Sequence, residues 1–262
     1  MTGYNYFRRG GASYVKVENE EFFLGYGDLS TSPENFIVHN GLSRKFNYLV
    51  FFDSRGATVK QEGLHSTITL LRDYFETLKL SYLIVSRPLN LTIIPTLLSF
   101  CENTLIEFDN VITNVGFVDT TPKKKDTLLD IESQLDNANI DYTYKYLCDF
   151  ELLNGNTEEL GTLSITESAI LDISKRLERI TSKIYFINSP EVSTNTIFER
   201  KRPKCFFPQI IKSNELVSKV SLESRSFLVD ISRVGINTYD GVHFTNKGHQ
   251  ICHNTIISSL IS

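Results

Sequence analysis

The sequence predicts an α/β protein, a doubly wound parallel sheet with helices on both faces in three layers, preceded by an N-terminal β extension. Three observations predict it. Tyr48-Leu49-Val50-Phe51-Phe52 is a continuous apolar run, β-branched or aromatic apart from Leu49, as expected of a strand buried on both faces. Behind it, Ile68, Leu71, Phe75 and Leu78 recur at helical spacing. From Phe46 onward the same rhythm of strand then helix repeats, which calls for a parallel sheet.

The elements follow in order. Residues 1–45 differ from the rest: short segments such as Ser13-Tyr14-Val15-Lys16-Val17 and Phe22-Phe23-Leu24, with Gly10-Gly11 and Asn40-Gly41 as turn signals, predict antiparallel hairpins. The expected boundaries are 1–45 for this β extension and 46–262 for the α/β domain. After the first strand and helix come a strand at Ser81 to Val85, a helix from Thr92 to Cys101 with Pro95 in its first turn, and a third strand at Val111 to Val115. Thr127 to Asn137 reads as a polar helix and Asp141 to Gly161 as an insertion with a turn at Asn154-Gly155-Asn156. Ile170, Ile173, Leu177 and Ile180 mark an amphipathic helix capped by Thr166. Strands follow at Lys183 to Ile187 and Phe227 to Ile231, separated by a loop holding Arg200, Lys201, Arg202 and Pro203 and by a helix. A last helix carries Ile251, Ile257 and Leu260.

Composition sets bounds. The 262 residues can bury a large core, and 41% hydrophobic with 22% charged is ordinary for a globular protein. A formal net charge of −4 argues against general nucleic-acid binding. No apolar run is long enough to span a bilayer and the N-terminus lacks a secretory apolar core, so the expected compartment is cytoplasmic. The cysteines, Cys101, Cys148, Cys205 and Cys252, are widely spaced without C-x-x-C, so free thiols are expected and no metal site is.

The chemistry gathers at two places. The first strand stops at Asp53-Ser54-Arg55-Gly56, which sets a serine hydroxyl at the carboxyl edge of the sheet, where open α/β sheets bind ligands. A serine needs a base, and the base needs an orienting group. Tyr239-Asp240-Gly241-Val242-His243 supplies both, because a carboxylate three residues before an imidazole in a glycine-containing loop can reach back to it. Taken singly, Asp53 and Ser54 read as helix caps, Asp240 as a turn residue and His243 as a loop histidine. Gly25-Tyr26-Gly27-Asp28-Leu29-Ser30 lacks the third glycine of a dinucleotide fingerprint, and no strand and helix frame Ser30 as they frame Ser54. His249 and His253 read as surface or packing residues, and His39 and His65 have no motif around them.

With these residues in hand the chain resembles the SGNH (GDSL-like) hydrolases, whose members carry a Ser after the first core strand, a Gly after the second, G-x-N-D after the third and D-x-x-H before the last helix. The blocks here are Phe52-Asp53-Ser54, a second near Asn90-Leu91-Thr92, Gly116-Phe117-Val118-Asp119, and Asp240-Gly241-Val242-His243, in the family's order from about Phe46 to the C-terminus. Phe52 stands where the family has Gly, Asn90 where the second Gly falls, and Val118 where the Asn falls, so the chain resembles a divergent branch with G-x-V-D in place of G-x-N-D. The resemblance implies a flavodoxin-like SGNH fold with Ser54 as nucleophile, His243 as base and Asp240 as its orienting carboxylate. It places the oxyanion donors at the Ser54 N–H with Asn90, Asn114 or the Gly116 loop, donors typically worth about 10²-fold in rate each. Asp53, Arg55, Asp119 and Lys123 flank the site as candidate substrate-binding residues.

The implied activity is transfer of an acyl group, with acetyl the expected one, on a carbohydrate or similar hydroxylated substrate, as an esterase or an O-acyltransferase. A branch with this third block is associated with bacterial polysaccharide formation. No cofactor is required; in the transferase case acetyl-CoA is a candidate donor. The alternative is a catalytically inactive glycan- or protein-binding module, favoured by Phe52, Asn90 and Val118. A phosphatase using Asp53 is the weaker reading, since Arg55 occupies the place of a second carboxylate.

Overall fold

The computed structural model describes residues 5–9, 12–17, 20–26, 37–40, 44–57, 66–86, 93–103, 106–151, 157–181, 183–192, 202 and 206–262. Near the N-terminus β1 (Asn5–Arg9), β2 (Ala12–Val17) and β3 (Glu20–Tyr26) pair antiparallel in that order, Asn5 opposite Lys16 and Val17 opposite Glu20. β4 (Ile37–His39) leaves this sheet and pairs antiparallel at the edge of a second one, so part of the 1–45 stretch belongs to the main sheet.

The core begins at β5 (Lys45–Phe52), followed by α1 (Thr67–Thr77), β6 (Tyr82–Ser86), α2 (Ile93–Asn103), β7 (Glu107–Thr113) and the short α3 (Phe117–Thr120). β8 (Lys123–Lys124) and α4 (Lys125–Asn137) lead to a hairpin of β9 (Tyr142–Glu151) and β10 (Thr157–Ile165), which falls at the predicted insertion but extends beyond it to Ile165 and forms a small antiparallel sheet with β8. The turn predicted at Asn154-Gly155-Asn156 lies outside the described residues. α5 (Glu167–Ile180) follows, then β11 (Ile184–Ile187), α6 (Phe206–Glu223), β12 (Phe227–Val229) and α7 (Asn246–Leu260). Thr166 caps α5 as predicted, accepting the Ala169 N–H at 3.3 Å.

Among the described residues the main sheet runs β12-β11-β7-β5-β6-β4, parallel except for β4. The strand order reverses between β5 and β7, which makes the carboxyl ends of those two strands the switch-point crevice. Alternation along β5 explains the continuous apolar run. Leu49 and Phe51 pack with α2, α5 and α6 on one face, while Val50 and Phe52 pack with α1 and α7 on the other. The predicted three-layer α/β fold is the one observed.

β7 begins earlier than the apolar pattern predicts, at Glu107 rather than Val111. Its amino-terminal half is polar because that end of the sheet is wet: Asp109 pairs with the exposed Lys45 at 2.9 Å and accepts from Asn47 Nδ2 at 3.1 Å.

Candidate active site

β5 ends in a single 3-10 turn, Ser54–Gly56, whose N-cap is Asp53. The Asp53 carboxylate accepts the Arg55 N–H at 2.8 Å, a bond that turns the chain sharply and presents Ser54 at the crevice. Gly56 is needed for that turn, since a Cβ there would fall 2.3 Å from Phe52 Cδ2.

Across the crevice, the loop before α7 carries the other two residues of the predicted relay. Ser54 Oγ lies 3.2 Å from His243 Nε2, and His243 Nδ1 lies 2.9 Å from Asp240 Oδ2. A carboxylate only accepts, so Nδ1 carries the hydrogen and the lone pair of neutral His243 sits on Nε2, facing the serine hydroxyl. Asp240 Oδ1 accepts the Val242 and His243 N–H groups at 3.1 and 2.9 Å, which fixes the loop conformation that the D-x-x-H spacing needs. Burial pushes the Asp240 carboxyl up, but the His243 side-chain and backbone hydrogen bonds, with the charges of His243 and Arg202, hold it below the usual carboxylate range. The loop is closed by the Tyr239 N–H to His243 carbonyl bond at 2.9 Å, and Thr245 caps α7 through the Gly248 N–H at 3.1 Å.

The structure brings Ser54, His243 and Asp240 together and places the flanking candidates elsewhere. Arg55 does not face the crevice. Its guanidinium is 2% exposed, pairs with Asp53 Oδ2 at 2.9 Å, donates to Ser189 Oγ at 2.5 Å and to the Asn114 carbonyl, and lies over the Phe117 ring. Asp53 is equally buried and fully engaged with Arg55 and Asn114, so both residues are structural here rather than substrate-binding. Asn114 accepts the Asp53 N–H at 2.8 Å and donates Nδ2 to Asp53 Oδ1 at 3.0 Å. The Gly116 N–H goes to Asp119 Oδ2 at 2.9 Å. These bonds hold the loops after β5 and β7 together, and they take up the Gly116 N–H and one of the two Asn114 Nδ2 hydrogens.

Asp119 also accepts the Ile93 and Ile94 N–H groups at 3.0 and 2.9 Å, capping α2. Lys123 points its ammonium inward to the Val118 and Thr121 carbonyls, both at 2.7 Å, and burial pushes its pKa down to about 8 against the pull of Asp119. A substrate-binding role for Asp119 and Lys123 is therefore replaced by loop support. Asn90 and Ser30 lie outside the described residues. The Ser54 N–H, at the start of its turn, meets no acceptor among the described residues.

Two residues in this region carry no sequence signal for their place. Arg202, in the basic loop before α6, pairs with Asp240 Oδ2 at 2.5 Å and donates Nε to the Asp240 carbonyl at 2.6 Å. Nothing in Arg200-Lys201-Arg202 distinguishes one cation from the next. His249 lies fully buried on α7, with Thr67 N–H donating to its Nδ1 at 3.1 Å. Cys252 is also buried, which pushes its thiol up to about 12 and keeps it neutral. A groove of about 830 Å³ runs along α6 past Phe207, Ile211 and Leu222 and does not include the relay. No helix among the described residues is long and apolar enough to cross a membrane.

No family model matches the sequence, and no curated protein matches it. Solved structures similar to this chain include an alpha/beta hydrolase from the metagenome of Lake Arreo, Spain, at 14% identity and TM-score 0.47, covering 82% of this chain and 94% of that one. An acetyl-xylooligosaccharide esterase from Geobacillus is similar at 13% identity and TM-score 0.47, covering 81% of this chain and 93% of that one. An acetyl xylan esterase is similar at 14% identity and TM-score 0.44, covering 82% and 99%. By its own strand order the chain is a doubly wound α/β protein, with Ser54, His243 and Asp240 gathered at its switch point.

Proposed function

We propose that the protein is a serine-dependent acyl esterase or O-acyltransferase that uses Ser54, His243 and Asp240. The observation that carries this reading is the unbroken chain from Ser54 Oγ to His243 Nε2 at 3.2 Å and from His243 Nδ1 to Asp240 at 2.9 Å, in the one tautomer that leaves Nε2 basic. Ser54 Oγ attacks the acyl carbonyl carbon while its proton passes to Nε2. The oxyanion forms against the Ser54 N–H, and its collapse expels the alcohol of an ester, or the thiol of an acyl-CoA donor, which takes the proton from Nε2. An incoming water or sugar hydroxyl then gives its proton to Nε2 and attacks the acyl-serine, and His243 returns the proton to Ser54 as the acid or new ester leaves. Asp240 keeps the Nδ1 hydrogen in place and stabilises the imidazolium.

The resemblance of the sequence blocks to SGNH hydrolases extends the reading to a small acyl group, acetyl first, on a carbohydrate hydroxyl, including the setting of bacterial polysaccharide formation. Esterase and transferase share this relay and differ in the acceptor admitted. Turnover that requires acetyl-CoA and a sugar would mark the transferase.

A second reading, an inactive binding module, is favoured by one observation: the Gly116 N–H that an oxyanion would use is bonded to Asp119, and one of the two Asn114 Nδ2 hydrogens is bonded to Asp53. The same experiment decides between the two. Wild type and Ser54→Ala are treated with a fluorophosphonate probe and assayed with p-nitrophenyl acetate. The enzyme reading expects labelling and turnover in the wild type, with the serine variant retaining less than about 10⁻³ of the rate. A wild type that neither labels nor turns over leaves the binding module.

A further inference from the structure

We infer that Arg202 is a positioning residue of the relay, holding the Asp240 loop in place and sharing the Asp240 carboxylate with His243, so that its charge tunes how strongly that carboxylate supports the imidazolium formed in the reaction. The inference rests on the serine-relay reading for its effect on rate, and on the geometry alone for its effect on His243. Arg202 reaches Asp240 twice, by an ion pair to Oδ2 at 2.5 Å and by Nε to the backbone carbonyl at 2.6 Å. Its guanidinium lies over the Phe206 ring, 5.0 Å from the centroid, and Phe206 packs with Phe117, Ile210 and Val242. The side chains of Arg202 and Asp240 are 15% and 11% exposed, so solvent screens the pair only in part.

The carboxylate oxygen that Arg202 contacts is the one that accepts from His243 Nδ1. A carboxylate shared with a fixed cation stabilises an imidazolium less than an unshared one, and the cation itself opposes a second positive charge nearby. Among the described residues, the charged and titratable groups around His243 are Asp240 on its own loop, Arg202 before α6, His249 on α7, and the Arg55–Asp53 pair of the Ser54 turn, whose charges cancel. Among these Arg202 is the fixed net cation in direct contact with the relay. Removing its charge leaves the Asp240 carboxylate to the His243 ring alone.

The test compares wild type, Arg202→Gln and Arg202→Lys by kcat/KM on p-nitrophenyl acetate against pH, and by NMR titration of the His243 ring in a Ser54→Ala background. With Arg202→Gln, the acid limb of kcat/KM and the His243 midpoint both move up by about one unit, and kcat/KM well below the limb falls about tenfold more than on the plateau. Arg202→Lys keeps the charge and leaves both near their wild-type positions. The inference is overturned if the midpoint is unmoved in Arg202→Gln, or if Arg202→Lys shifts as far as Arg202→Gln does. Equal loss at every pH also overturns it and makes Arg202 a loop brace only. A wild type without turnover removes the serine-relay reading, while the NMR midpoints still decide the claim about Arg202.

Discussion

His249 is a buried titratable group that the relay does not use. Its ring is wholly enclosed, and its Nδ1 accepts the Thr67 N–H that opens α1, so the hydrogen must sit on Nε2, which has no partner among the described residues. Burial first, then the nearby His243, push its pKa down to about 4. The unfolded chain therefore takes up a proton near pH 6.5, where the folded one does not, so stability is intact above that pH and falls as the pH drops toward 4. From pH 7 to 4.5 the contribution lost is about 2 kcal/mol. Urea unfolding of wild type and His249→Gln at both pH values checks this, because titrations common to both cancel in the difference. Parallel losses in the two proteins would remove His249 as the source. The sequence presented His249 as a surface or packing residue, and packing is what the structure shows. No local pattern distinguished it from the half-buried His253 one turn on.

At the scale of elements, the third block shows what a motif can and cannot disclose. Gly116-Phe117-Val118-Asp119 was legible as a loop after a strand, yet its job here is mechanical. Gly116 has φ of +115°, outside the range of other residues, and a Cβ on it would meet Val217 Cγ2 of α6 at 2.5 Å. Asp119 then ties the Gly116 N–H to the first turn of α2. Gly116→Ala is expected to cost about 2 kcal/mol or more, through left-handed strain and overpacking against α6. Chemical denaturation measures it, and a loss below about 0.5 kcal/mol would show that α6 yields freely. Strand positions were legible where both faces are apolar, as in β5 and β6. The start of β7 was hidden because Glu107, Asp109 and Asn110 face the wet amino end of the sheet.

Across the whole molecule, the strand order gathers chain segments that sequence inspection keeps apart. Asp53, Asn114 and Ser189 close three neighbouring strands, β5, β7 and β11, and Arg55 touches all three residues from within the Ser54 turn. Its partners in the last two lie 59 and 134 positions away, which is why Arg55 read as a cation flanking a cleft. The relay was legible for the opposite reason: Asp240 and His243 are local to each other, and Ser54 ends a strand that its apolar run announces.

The two roles of Arg55 make different demands. A substrate-binding arginine at the surface can be removed with little change in stability and a raised KM. The buried one leaves the Asp53 carboxylate, 1% exposed, without its counter-charge, a loss that typically amounts to about 3–5 kcal/mol. Arg55→Ala should therefore unfold at lower urea and lose fluorophosphonate labelling of Ser54 by more than about tenfold, because the turn that presents the hydroxyl is no longer tied to β7 and β11. Arg55→Lys, which keeps the charge but not the fork that reaches Asp53, Asn114 and Ser189 together, should recover part of the stability and less of the labelling. If Arg55→Ala kept the wild-type urea midpoint and only weakened substrate binding, the clamp across the three strands would be refuted and Arg55 would return to the substrate side of the crevice.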